Sequence, residues 1–164
     1  MPFVRTQTSK TVDVRHVAID STKPFADVQT ALEAVVPPLD PTISTLLTQG
    51  MSDELSGRLK NGPELAIFLK RDHGTLLGLY GEPRHAVQYE IGNPLTASTM
   101  TRYNLGAALY APLRVVLYET NDGGSRFEYD LPSSIFGQFG DDRITEVGRG
   151  LDDALLRALS SASE

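Results

Sequence analysis

The chain has 164 residues, 40% hydrophobic and 22% charged, a size and balance that fit one globular domain able to bury its own core. It has no cysteine, which excludes disulfides, thiolate catalysis and every zinc site built on cysteine. Its net charge of −6 meets no offsetting lysine–arginine cluster, so nucleic acid is not an expected partner.

Residues 1–10 are polar and read as a flexible N-terminus ahead of a single domain over 11–160. They lack the apolar stretch of a secretory leader, and no run approaches the ~20 residues of a membrane helix. The expectation is therefore a soluble, cytoplasmic protein without a membrane partner. Thr11–Asp20 opens with alternation: Val12 and Val14 face one way, Thr11, Asp13 and Arg15 the other, as in a first strand. Phe25, Val28, Leu32, Val35 and Val36 then recur at helical spacing, with Pro24 and Asp27 at the start and Pro37-Pro38 as the stop. The stretch 37–63 keeps Ile43, Leu46, Leu47, Leu55 and Leu59 between turn residues, and reads as two short helices, Ile43–Gln49 and Ser52–Lys60, forming an excursion within the domain.

Leu65–Lys70 reads as a strand and Thr75–Tyr80 as a helical turn that returns the chain. Val87, Tyr89 and Ile91 alternate with Gln88 and Glu90, a strand with one buried face. Asn93 is placed to cap a helix that begins at Pro94 and continues to about Arg102, and Asn104-Leu105-Gly106 opens another short turn. Leu113–Glu119 is nearly continuous in apolar residues, as in a central strand. Asn121-Asp122-Gly123-Gly124 and the alternating Arg126–Asp130 complete a hairpin. Ser133 and Ser134 after Pro132 look like a helix start. A last helix, capped by Asp141 or Asp142, carries Ile144, Val147, Leu151, Leu155 and Leu159 on one face, with Gly148 and Gly150 predicting a kink in its first half. The fold class expected is α+β: one domain with an approximately five-stranded mixed or antiparallel sheet and helices packed on its faces.

Several chemistries are missing. There is no Walker-type phosphate loop, and Gly148-Arg149-Gly150 lacks the third glycine of a dinucleotide fingerprint. No Gly-x-Ser-x-Gly elbow exists. His16, His73 and His85 are not spaced as metal pairs, and Asp141-Asp142 and Asp152-Asp153 fit capping and solvation better than paired-carboxylate catalysis. No metal and no cofactor is expected.

Five pieces between Leu65 and Pro132 carry a resemblance: Ile67-Phe68 before Asp72-His73; Ile91-Gly92-Asn93-Pro94; Met100; Ala111 to Glu119; and Tyr129-Asp130-Leu131-Pro132. Together they resemble the family called domain of unknown function 302. Two departures stand out: Ala111 replaces the acid–leucine lead-in usual before that proline, and the 37–63 excursion is longer than the family core needs. The resemblance implies a compact α+β fold that self-associates, and implies no reaction.

The candidate ligand-binding residues are His73, Asn93, Arg114, Tyr129 and Asp130. Asp72 beside His73 could orient its ring for acid–base work or for a ligand. Asn93 is first a helix cap, yet a helix start attracts anions. Arg114 sits among Leu113, Val115 and Val116, where a charge needs a partner or solvent; Glu128, Asp130 or a ligand could supply it. Tyr89, Tyr118 and Tyr129 fit a core or an interface. The leading expectation is a non-catalytic homodimer binding a small, anionic ligand or other small molecule. The alternatives are a small enzyme using His73 as acid or base, and a structural or protein-interaction module.

Overall fold

Period-two alternation along the strands sets the architecture. In the computed structural model, which describes residue 1 and residues 3–164, five strands form one sheet: β1 (His16–Ser21), β2 (Ala66–Asp72), β3 (Ala86–Gly92), β4 (Leu113–Glu119) and β5 (Ser125–Asp130). Their order is β1-β5-β4-β3-β2, and every neighbouring pair is antiparallel. The apolar strand β4 is the central one, as its composition implies. The hairpin to β5 closes through Thr120 N donating to Gly124 O at 2.9 Å, with Gly123 at φ +87°, a conformation that glycine adopts without strain.

The helices are α1 (Phe25–Val35), α2 (Pro41–Thr48), α3 (Asp53–Lys60), α4 (Pro94–Thr101), α5 (Pro132–Phe136) and α6 (Asp142–Ser163). Short 3-10 turns occupy Thr75–Tyr80 and Leu105–Tyr110. One face of the sheet is buried: Val87, Tyr89, Ile91, Leu113, Val115, Leu117, Phe127 and Tyr129 form the core with Val28 and Leu32 of α1, Met100 of α4, Phe136 of α5 and Ile144, Leu155 and Leu159 of α6. The alternate positions turn the other way and stay open to solvent: His16, Ala18, Asp20 and Arg114 are exposed, and Gln88, Tyr118 and Glu128 only half-buried. Strands that alternate in this way can satisfy only one packed layer, so the helices gather on one face.

The first strand begins at His16, not at Thr11. β5 ends at Asp130, opposite His16, and the chain then enters α5 at Pro132. Beyond the bond from Leu131 N to Arg15 O, residues 11–14 meet no partner strand among the described residues, and Val14 is exposed. The 37–63 excursion folds as α2 and α3. It joins the sheet through a bridge between Pro38 and Ile67, where Leu39 N donates to Ile67 O and Ile67 N to Pro37 O. α6 runs unbroken past both glycines. A side chain on Gly148 would sit 3.0 Å from Ser133 Cα, so glycine there lets α5 lie close against α6. Among the described residues no helix is long and apolar enough to cross a membrane.

Candidate functional site

The site is built at the turn between β3 and α4. Asn93 leaves β3 in an extended conformation and caps α4: its Oδ1 accepts from Leu95 N at 2.9 Å and Thr96 N at 3.1 Å. Its Nδ2 donates to Pro63 O at 3.0 Å and Glu64 O at 3.2 Å. One amide thus starts the helix and ties it to the segment that leads into β2. Pro94, with no amide hydrogen to satisfy, takes the first helical position.

Beneath this turn lies a cleft of about 70 Å³. It is lined by Phe68 of β2, Gly92, Pro94, Met100, Ala111, Pro112 and Leu113, together with Phe136 of α5 and Leu151 of α6. A Cβ on Gly92 would lie 3.6 Å from Pro112 and 3.7 Å from the Phe68 ring, in ordinary contact with both. Four of the five sequence pieces that carry the family resemblance contribute to this wall. No titratable residue lines it; Asn93 and Thr96 are the polar side chains. The lining suits an apolar group.

The five candidate residues from the sequence are dispersed. His73 follows β2 at the end of the sheet opposite Asn93, since Asp72 pairs with Val87 whereas Ala66 pairs with Gly92. Its ring is exposed, and Asp72 directs both carboxylate oxygens to Thr75, accepting from the amide at 2.9 Å and the hydroxyl at 2.6 Å. These bonds hold the Asp72 pKa below its ordinary value. Arg114 lies exposed on the open face, opposite Glu90; solvent meets its charge. Tyr129 points into the core, where burial, followed by the charge of Asp152, raises its pKa. Asp130 faces out beside His16.

Two polar clusters have no counterpart in the sequence reading. On the open face, His16 Nδ1 lies 3.0 Å from Asp130 Oδ1 and Nε2 lies 2.9 Å from Glu128 Oε2. Asp130 and then Glu128 raise the pKa of the ring. Tyr118 donates its hydroxyl to Glu128, and this bond, with His16, lowers the pKa of that carboxyl. On the covered face, the fully buried Tyr89 donates to Glu33 Oε1 at 2.9 Å and accepts from Gln29 at 3.2 Å, while Lys70 Nζ reaches the same Glu33 oxygen at 2.9 Å. Burial raises the Tyr89 pKa. Both clusters join residues distant in sequence: strand register brings the first together, and the packing of α1 against β2 and β3 assembles the second. Among the described residues no group of three histidine or carboxylate side chains is arranged to hold a metal.

The comparisons with known proteins concern the family and the fold. Residues 50–162 match the family model described as Domain of unknown function DUF302. The fold is similar to the crystal structure of an uncharacterized conserved protein DUF302 from Bacillus stearothermophilus, with a TM-score of 0.65 and 17% identity over 90% of this chain and 97% of that one. At that identity the likeness concerns the fold alone. No curated protein matches the chain.

Proposed function

Because the chain belongs to the DUF302 family, whose pattern residues here wall one apolar cleft, we propose that it is a non-catalytic binding domain that takes a small apolar group beneath Asn93 and works as a homodimer. The observation that carries this reading is the lining itself: apolar on nearly every side and free of titratable groups. Pockets of this kind bind by excluding water, and a few polar groups at the rim set orientation. An anion has less support, because α4 gives its first free amides to the Asn93 side chain and Arg114 lies on the other face of the sheet.

The three methionines provide the test. Met100 is buried in the cleft wall, whereas Met1 and Met51 are exposed and serve as internal controls. With methyl-labelled methionine, millimolar benzene or indole should shift the Met100 resonance and leave the other two in place. Ala97→Leu, which fills the lining, should abolish the shift. A shift with phosphate alone would restore the anion reading, and no shift with any probe would remove the cleft as a binding site. A protein-interaction module is the second reading, favoured by the turn at Thr75–Tyr80, where Leu79 and Tyr80 are 84% and 81% exposed. Self-association is tested by light scattering on a sizing column: a monomer mass at high micromolar concentration would overturn it.

A further inference from the structure

We propose that the outer edge of β1 is the surface through which two copies of this chain join, their β1 strands pairing antiparallel about a two-fold axis at Ala18. The proposal rests on the self-association in the reading above and adds the surface and its register.

The two edges of the sheet differ. β2 is guarded: Pro37 and Leu39 bond to Ile67, the register slips between Ile67 and Leu69, and Lys70, Arg71 and Asp72 follow. Bulges, covering segments and charges are the usual defences of an edge strand. β1, with the sequence HVAIDS, carries no proline, bulge or lysine, and among the described residues it pairs only with β5. Because Leu131 N bonds to Arg15 O, the alternation of an antiparallel ladder aims the backbone groups of Arg15, Val17, Ile19 and Ser21 at β5. Those of His16, Ala18 and Asp20 point outward. All three residues are exposed, and among the described residues none of their backbone groups has a backbone partner in a turn, loop or cap.

The side chains fit a second copy of the same strand. With Ala18 opposite Ala18 of the partner, His16 of each copy faces Asp20 of the other on the open side, where Asp20 already pairs with Arg126 at 2.6 Å and His16 with Asp130 and Glu128 of its own chain. On the helix side Val17 of each copy faces Ile19 of the other. Both are only partly buried in the single chain, and pairing would cover the apolar surface that they leave at the rim. The small side chain at the axis lets the strands approach, and the product is one continuous ten-stranded sheet. A two-fold contact of this type closes on itself and builds no filament.

The chain has no cysteine, so a single introduced thiol reports the register. Hydrogen-bonded antiparallel partners have Cα atoms about 5.5 Å apart, within the span a disulfide bridges. Under mild oxidation Ala18→Cys should become a covalent dimer, and Arg71→Cys on the opposite edge should not. Ala18→Pro removes one outward amide hydrogen and no bond to β5; its mass by light scattering should be half that of the wild-type dimer. A monomeric wild type would overturn both the proposal and the self-association beneath it. A dimeric wild type in which Ala18→Cys fails to cross-link would overturn the β1 surface alone, and this measurement decides even where Ala18→Pro does not fold.

Discussion

Arg114 shows how one charged residue in an apolar run is resolved by direction. Its neighbours Leu113 and Val115 are buried, while Arg114 itself projects to solvent and makes no ion pair among the described residues. Arg114→Met should therefore change the stability of the free protein by no more than about 0.5 kcal/mol, the usual range for an exposed site; urea unfolding checks this, and a loss of several kcal/mol would mean a hidden partner. His16 is the converse case. The sequence offers it as one histidine among three, unpaired in spacing, because Glu128 and Asp130 lie more than a hundred residues away. Its pKa is raised in the folded chain by Asp130 and then Glu128. The stabilisation from these bonds is full below the ordinary value of 6.5 and is lost as pH rises through the raised value. His16→Ala should thus lower the melting temperature more at pH 5.5 than at pH 9. An equal effect at both values would show that the bonds are not formed in solution.

At the scale of elements, caps and turns were readable because their chemistry is local. Asn93 before Pro94, Asp141 before α6, and the Asn121–Gly124 turn each satisfy backbone groups within a few residues. The start of β1 was not readable, since strand length depends on the partner and β5 offers six residues. The two glycines of α6 divide on the same ground. Both cost about 1 kcal/mol relative to alanine in an isolated helix, yet only Gly148 has α5 against it. Gly150 faces open space, so Gly150→Ala should stabilise the protein by up to about 1 kcal/mol. Gly148→Ala must move the Ser133 backbone and should destabilise by roughly 1–3 kcal/mol, as overpacking does. Thermal melting of the two variants checks the pair, and a gain in both would mean that the α5–α6 contact is looser than described.

For the whole molecule, the governing fact is a sheet with one covered face. Leu117 and Val116 are adjacent in β4 and point to opposite sides. Leu117→Ala removes a fully buried side chain and should cost about 2–5 kcal/mol, whereas Val116→Ala on the open side should cost less than about 1 kcal/mol. Similar losses in denaturant unfolding would show the open face covered in solution, by a partner or a second copy. Composition, alternation and turn residues by themselves determined one α+β domain, the order of its strands and helices along the chain, the central place of Leu113–Glu119 and the cap at Asn93, because each of these follows from a period or a bond spanning a few residues. Only the tertiary structure decided that His73, Asn93 and Arg114 lie apart, that Phe68, Pro112, Phe136 and Leu151 line one cleft, and that β1 stands at the edge of the sheet. Those relations depend on strand register and on which face the helices cover, and register is settled by packing between segments far apart in the chain.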